Sequence, residues 1–485
     1  MMNVTRTGIV LKPNASRVLF RPLNFVGEQR PLRILARVLT LPEAEVVELL
    51  AQVLTDFKTR HQRLHDYFLM RYEFVRGLLP TDQPLSDERK LLIGAYFTHE
   101  YSLEAAALFN PSIVPHPDQT GLAEGTLRFV LSLRATGEGH ISSITFRTGT
   151  INDRGTIQVD TPTRYVTTPD HIPPTSYKKE LFWRKLEELG VIDAIAETIL
   201  KNLRENFTTD ELSQQIAYLR RYAHHRNIEF DRTASRVLTL AQSNYEIIYL
   251  PEQPLTERVI FPTAPSESNG IEDARFVRFV EDDGVATYIA TYTAYDGRVT
   301  IPQLLETSDF VRFRISTLNG PEVQNKGMAL FPRRIRGQYV MLSRQDGENL
   351  YLMHSDELHF WHTKVPLLKP NNSWEFVQVG NCGSPIETKE GWLVLSHGVG
   401  PMRKYSIGAF LLDLEDPSRV IGRLARPLLS PDELEREGYV PNVVYSCGAL
   451  VHAGILILPY AMSDTASSFA TVPLADLLKA MEPVR

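Results

Sequence analysis

Apolar positions along this chain change their period three times. Over the first hundred residues they recur at helical spacing, with Leu49, Leu50, Val53, Leu54 and Phe57 on one face. Thr40-Leu41-Pro42-Glu43 precedes them and combines a capping threonine, a helix-starting proline and a glutamate three residues on. A second helix is predicted from near Ser86 through Leu91, Leu92 and Tyr96. From near Phe109 the period shortens to two, and segments such as 129–133, 285–292 and 339–343 read as strands between Gly, Pro, Asn and Asp turns. This β texture runs to about residue 165 and resumes from about 247 to the end. Between the two stretches, helical spacing returns over about 175–246. There Thr208-Thr209-Asp210-Glu211 is a capping-box pattern, and Leu212, Ile216, Leu219 and Tyr222 follow on one face. The most apolar stretch, 448–462, holds His452 and Pro459 and reads as a buried strand.

A weak repeat organises the β regions. Thr307-Ser308-Asp309-Phe310 and His354-Ser355-Asp356-Glu357-Leu358-His359-Phe360 each follow a β segment, and Ser308 and Ser355 lie 47 residues apart. That is near the length of one propeller blade. Segment 139–150 resembles an earlier copy. Without the insertion about 300 residues remain, five to six units at blade length. A pair of sandwiches is the alternative; the spacing favours the propeller.

Composition narrows the setting. The chain of 485 residues has 52 Lys+Arg against 58 Asp+Glu, a formal net charge of −6. An acidic balance argues against a general nucleic-acid binder, though a local basic pocket remains compatible with it. Cys382 and Cys447 are the only cysteines, which excludes a disulfide framework and makes a zinc site improbable. The start, Met1 to Arg6, leads into no apolar core of signal-peptide length, and no apolar run reaches the roughly 18–20 residues of a spanning helix. A cytoplasmic protein is expected, with no metal. The N-terminal helices are read as a packing or oligomerisation layer, so a homo-oligomer is a possible partner state.

Candidate chemistry sits on isolated polar residues in turn-like contexts. Asn110-Pro111-Ser112 stands where the first strand begins. In Asn269-Gly270-Ile271-Glu272-Asp273-Ala274-Arg275, two adjacent carboxylates precede an apolar strand. Strand alternation would put Glu272 and Asp273 on opposite faces, one toward a cavity and one toward Arg275; a surface salt bridge is the plain reading. Tyr292-Thr293-Ala294-Tyr295-Asp296-Gly297 is a strand end whose rings suit stacking on a sugar face, although a plain strand and turn is the commoner reading. Lys326 and Arg344 flank a hairpin and together could hold one anion, with Arg333, Arg334 and Arg336 between them as a solvated turn. His397, between an apolar strand and a glycine, is a site residue or a satisfied core histidine. Asp464 ends the most apolar strand and needs a partner, since burying it unpaired costs several kcal/mol.

The ordered set of these segments resembles glycoside hydrolase family 130, the β-mannoside phosphorylases and related β-mannosidases. The resemblance covers about 300 residues, from Asn110-Pro111-Ser112 through Gly270–Arg275 and 292–297 to Leu330-Phe331-Pro332. It continues through Arg344, Gly391-Trp392-Leu393, His397-Gly398-Val399, Leu412 to Pro417 and Pro441 to Tyr445, and ends at Asp464. It implies a mainly β chain, a five-bladed β-propeller with an N-terminal helical region (1–105) and a helical insertion (173–247) between two propeller parts (106–172 and 248–485). By position, Asp273 corresponds to the family's general acid. Asn110, Ser112, Arg275 and Asp464 correspond to walls of the sugar pocket, with Tyr295 and Asp296 beside them. Lys326, Arg344, His397 and Tyr405 fall where the phosphorylases bind phosphate. Ala274 replaces a common proline and Lys326 a frequent arginine, which removes a bidentate fork but not the positive charge.

Two mechanisms compete. An inverting hydrolase needs an acid and a carboxylate base about 6.5–9.5 Å apart. Phosphorolysis needs the acid and cations, because phosphate is already an anionic nucleophile. One acid with Lys326, Arg344 and His397 fits inverting phosphorolysis of a β-mannoside to α-mannose 1-phosphate, with inorganic phosphate as co-substrate and no cofactor. The family resemblance adds that the proton passes through the mannose 3-hydroxyl. A phosphate-independent β-mannosidase using Glu272 or Glu387 as base, and a non-catalytic carbohydrate-binding propeller, are the alternatives.

Overall fold

The computed structural model describes residues 4–25, 27, 29–172, 176–222 and 228–484. Outside them fall Met1, Met2 and Asn3 of the chain start, residues 173–175 at the expected entry to the insertion, and the side chain of Tyr222. The chain is mainly β.

Five larger antiparallel sheets follow one another along the sequence. The first runs Ala107–Pro115, Leu127–Thr136, Ser142–Ile151, with Ile157–Val159 and Val259–Ile260 along its outer side. The second runs Ile271–Val280, Ala286–Tyr295, Thr300–Thr307, Arg312–Thr317, then Tyr245–Ile248 and Asp170–Ile172. Ala329–Leu330, Tyr339–Ser343, Leu350–Ser355 and Lys364–Leu368 make the third. The fourth is built on Gln378–Asn381, Trp392–Val399, Tyr405–Leu412 and Val420–Arg423. The fifth contains Val444–Tyr445, Ile455–Met462 and Ala466–Pro473, and its outer strand is Thr5–Leu11 from the chain start. The 448–462 stretch is therefore a hairpin, turning at Ala453-Gly454, because Leu450–His452 pairs back on Ile455–Met462.

Each sheet buries apolar side chains against the next. Val114, Phe146, Phe276 and Phe313 join the first and second sheets. Phe279 and Leu304 meet Met341 and Met353 between the second and third. Val340 and Leu352 meet Val394 and Phe410 between the third and fourth. Leu395 and Ile407 meet Leu456 and Leu458 between the fourth and fifth, and Phe129 and Leu131 meet Ile457 and Phe469 between the fifth and first. The near-continuous apolar runs in the sequence follow from this burial of both sheet faces. The 47-residue repeat marks one turn used twice, between third and fourth strands. In one copy the Thr307 hydroxyl accepts from the Phe310 amide at 2.8 Å; in the next, Ser355 accepts from the Glu357 amide at 3.0 Å.

The helices form two separate bodies. Gln29–Leu39, Glu43–Phe57, Leu64–Val75 and Asp87–Tyr96 pack around Leu35, Val46, Tyr72 and Ile93. Ser86 caps the last of them by accepting from the Arg89 amide at 3.2 Å. The expected box at Thr40 does not form: the Thr40 hydroxyl donates to Arg37 O, and Glu43 is engaged by Ser86 and Arg89. The second body holds Lys179–Glu188, Ala194–Lys201, Thr209–Tyr222 and Ile228–Gln242 around Phe182, Ile199, Phe207 and Val237. Its box does form, with the Thr208 amide donating to Glu211 at 2.9 Å and the Glu211 amide to Thr208 Oγ1 at 3.2 Å. The stretch before residue 105 is thus not wholly helical, since Thr5–Leu11 serves the fifth sheet and Val18–Pro22 pairs with Thr98–Ser102.

Phe146 is fully buried at the first seam, its ring 5.8 Å from Phe310 and 6.1 Å from both Phe276 and Phe313. Phe146→Ala is expected to cost about 3–5 kcal/mol of stability in chemical denaturation; a cost below about 1 kcal/mol would mean that the seam does not support the fold.

Candidate active site

Three of the expected site residues sit on backbone that most side chains avoid. Asn110, Asp273 and Asp464 have φ of 49°, 54° and 51°. Asn and Asp tolerate this left-handed region better than bulkier residues, yet each such position costs on the order of 1 kcal/mol or more and persists where its surroundings hold it. At Asn110 and Asp273 the cause is a β-bulge, between Phe109 and Ser112 in one strand and between Glu272 and Arg275 in the other. Ser112 holds the two bulges together: its hydroxyl accepts from the Phe276 amide at 3.1 Å.

The bulges bring the carboxylates to one guanidinium. Asn110 Nδ2 donates to Asp273 Oδ1 at 2.6 Å, and Arg134 Nη1 reaches the same oxygen at 3.4 Å. Arg134 Nη2 donates to Glu272 Oε1 at 3.0 Å, and Lys326 Nζ lies 3.5 Å from Glu272 Oε2. Burial pushes the Asp273 carboxyl up, but Arg134, Lys326, Arg275 and the Asn110 amide outweigh it and hold Asp273 below the ordinary carboxylate range. Asp464 goes the other way. Burial and the charge of Asp273 raise it to about 6, against the pull of Arg134, Arg403 and Lys326. Two nearby carboxyls with such separated tendencies divide into one that stays ionised and one that readily holds a proton.

A cationic and aromatic cluster adjoins them. Arg344 Nη1 lies 3.1 Å from His397 Nε2, and because a guanidinium only donates, Nε2 accepts and the ring proton is on Nδ1. Burial, then Arg344 and Arg275, push His397 well below its usual range, so the imidazole is neutral. Tyr405 stacks on it at 5.9 Å and Tyr445 meets it edge-on at 5.0 Å. Arg275 donates to the Tyr445 hydroxyl at 2.6 Å and to Asn381 O at 3.2 Å. Gly327, beside Lys326, has φ +92°, and a Cβ there would stand 3.2 Å from Arg344 Nε. Arg344 Nε, Arg134 Nε and Asn110 Oδ1 are buried without a hydrogen-bond partner, as are several buried polar atoms elsewhere in the chain.

The family model described as beta-1,4-mannooligosaccharide phosphorylase, that of glycoside hydrolase family 130, matches residues 228–483. The chain belongs to this family. It is 37% identical over 231 residues to a 1,2-beta-oligomannan phosphorylase of Thermoanaerobacter sp., covering 46% of this chain and 75% of that protein. To a beta-1,4-mannooligosaccharide phosphorylase of Ruminococcus albus it is 31% identical over 239 residues, 46% of this chain and 70% of that one. Among solved structures, a beta-1,2-mannobiose phosphorylase of Listeria innocua in complex with beta-1,2-mannobiose aligns with a TM-score of 0.45 at 21% identity, over 78% of this chain and 92% of that chain. Asn110 and Arg134 precede the residues that the family 130 model matches.

Within this family 130 chain, Asn110, Asp273, Arg275, Lys326, Arg344, His397 and Tyr405 are linked through the contacts above, and Asp464 shares their electrostatic field. Ser112 is wholly buried, and its hydroxyl accepts from the Phe276 amide, which ties the two bulged strands together. Asp296 folds back on its own turn, accepting from the Arg298 and Val299 amides at 2.8 and 2.7 Å. Half-buried Tyr295 pairs its backbone with Asn269 and Gly270, and neither residue touches the Asp273 cluster. Glu272 and Asp273 do not diverge, because the bulge interrupts alternation, and Arg275 pairs with a phenol in place of a carboxylate. Glu387 is bound by Arg333 at 2.8 Å in a different cavity, which excludes it as a base beside Asp273. Arg334 is likewise paired, with Glu281 at 2.9 Å, so the arginine turn is less solvated than expected.

Arg134, Tyr445 and Arg403 are the members that sequence reasoning missed. A charged residue inside the apolar run Phe129-Val130-Leu131-Ser132-Leu133-Arg134 was the available signal for the first, since a buried guanidinium needs a partner. Arg403, on an exposed turn over the Tyr405 ring at 5.7 Å, left none. Among the described residues no group of His, Cys, Asp and Glu side chains is arranged to hold a metal ion.

The raised Asp464 carboxyl binds its proton more tightly in the folded than in the unfolded chain. The stability it contributes is full below about pH 4 and is lost as pH rises through about 6. Relative to Asp464→Asn, the wild type should lose about 2 kcal/mol between pH 4 and 7; parallel stability–pH curves for the two proteins would refute the assignment.

Proposed function

We propose that the chain is an inverting glycoside phosphorylase that cleaves β-mannosides with inorganic phosphate, giving α-mannose 1-phosphate and a shortened acceptor. The observation that carries this reading is the cation cluster of Lys326 and Arg344, with neutral His397 behind Arg344, set beside a carboxyl held by Arg134 and Asn110. The relatives named above, all mannoside phosphorylases, support the same reaction class.

In this reading phosphate lies against Lys326, Arg344 and Tyr405. One of its oxygens attacks the anomeric carbon from the face opposite the leaving oxygen, so configuration inverts. The bond to the acceptor oxygen breaks, and that oxygen takes a proton supplied from Asp273, in the family resemblance through the mannose 3-hydroxyl. Asp273 is ionised while Lys326 and Arg134 face it alone. A phosphate anion at Lys326 offsets part of that positive field, which favours proton uptake by Asp273 as the nucleophile binds. His397 contributes no charge; it accepts from Arg344 and fixes the fork that grips the anion.

The scaffold is proposed to be a five-bladed β-propeller. Five successive sheets, joined in order by five apolar seams that include one from the fifth to the first, support it. So does the Thr5–Leu11 strand, which joins the chain start to the last sheet. A cytoplasmic location is part of the proposal, since a charged sugar phosphate made there is retained. Among the described residues no helix is long and apolar enough to cross a membrane.

Incubating the protein with β-mannobioses, with and without phosphate, tests the reaction. Sugar phosphate formed only with phosphate is expected; free mannose released at the same rate without it would overturn phosphorolysis and make Glu272 the base to examine. Asp273→Asn should lower turnover about 10²–10⁴-fold with an unchanged circular dichroism spectrum. Arg344→Ala should raise the KM for phosphate about tenfold or more, because a charge-assisted hydrogen bond is lost. An unchanged phosphate KM would remove Arg344 from the pocket.

A further inference from the structure

A cavity of about 470 Å³ lies between the helical insertion and the turn after the Ala286–Tyr295 strand. One face of the helix Ile228–Gln242 lines it with Arg232, Ser235, Arg236 and Thr239, the i, i+3, i+4, i+7 positions of a single stripe. The opposite face of that helix, with Phe230, Ala234, Val237 and Ala241, is buried in the insertion's own core. The stripe is therefore surplus to packing. Arg298 and Asp296 supply polar groups from the turn across the cavity.

Charge in this cavity is unbalanced. Asp296 is its only carboxylate, and one oxygen already accepts two backbone amides. Arg236 donates to Leu189 O at 3.1 Å, which pins it at the end of the helix Lys179–Glu188. The guanidinium groups of Arg232 and Arg298, both exposed, make no hydrogen bond or ion pair among the described residues. Other arginines of the same body do find carboxylates, as Arg220 does with Asp231 at 2.8 Å and Arg184 with Glu180 at 2.5 Å. The cavity lining holds no aromatic ring to stack on a neutral sugar face, but it does hold guanidinium forks suited to oxyanions.

Its position relates it to the site. Thr293 pairs with Glu272 across the two strands, and Asp296 follows three residues later, about 10 Å further along the chain. A glycoside bound at Asp273 and extending along this strand would bring its acceptor part to the cavity.

We propose that this cavity receives an anionic group, a carboxylate or a phosphate ester, carried by the acceptor part of the mannoside cleaved at Asp273. The proposal rests on the phosphorylase reading above and adds a substrate class to it: acidic mannosides in preference to neutral ones. The helical insertion then acts as a specificity element.

The test runs the reaction in reverse, from α-mannose 1-phosphate, with mannose, mannuronate and mannose 6-phosphate as acceptors. At least one anionic acceptor should show a kcat/KM about tenfold or more above that of mannose, and the two anionic arms tell a carboxylate from a phosphate ester. In the double variant Arg232→Gln/Arg298→Gln this preference should collapse, with the neutral acceptor unchanged within about twofold. Equal or better use of mannose by the wild type, or a preference that survives the double variant, would overturn the proposal. Calorimetric titration with mannuronate separates the cavity from the reaction: if neither protein turns over, the phosphorylase reading fails. Mannuronate binding that the double variant loses would still support the cavity, and equal binding by both proteins would refute it.

Discussion

Each of the five larger sheets packs apolar side chains against two neighbouring sheets. Apolar side chains from neighbouring sheets meet at five seams, and each seam contributes far more free energy than any single polar contact in the site. Strands held this way cannot slide, because a one-residue slip would turn a whole apolar row the wrong way. The rigidity matters most at Ile271–Val280 and Ala107–Pro115, where bulges place Asp273 and Asn110 in left-handed backbone. A looser scaffold would relax those bulges.

The polar site is a set of mutual constraints on top of that frame. Arg134 joins Glu272 and Asp273, Lys326 satisfies the remaining side of Glu272, and Asn110 shares Asp273 Oδ1 with Arg134. Replacing any one of them leaves a buried charge short of a partner, a cost of several kcal/mol. The same arithmetic explains neutral His397. Next to Arg344 and Arg275 a second cation would be expensive, so the imidazole serves as an acceptor and positions Arg344.

The helical bodies depend on the β frame differently. The N-terminal one is tied in by Arg17 and Arg147 on either side of the buried Glu104, at 3.1 and 2.7 Å. The inserted one has its own core and leaves a cationic stripe facing the turn at Asp296 and Arg298. Under the proposed reaction the catalytic groups come from the sheets, and the surface that would choose among substrates comes from the helices.

Much of this was legible in the chain itself. The change of period from helical to two, the 47-residue repeat and the order of the segments around Asp273, Arg344 and His397 are local properties, and local chemistry decides them. The capping box at Thr208 formed for the same reason, since its partners are three residues apart. What the chain could not decide depends on contacts between distant residues. Thr40 lost its cap because Ser86 and Arg89, more than forty positions away, engaged Glu43 first. Alternation failed at Glu272 and Asp273 because a bulge, set by packing against the Asn110 strand, turned both toward Arg134, and the Ser112 hydroxyl ties the two bulged strands together. Residue types and their spacing determined which groups were available for chemistry; the sheets, meeting across hundreds of residues, decided which of those groups face one another.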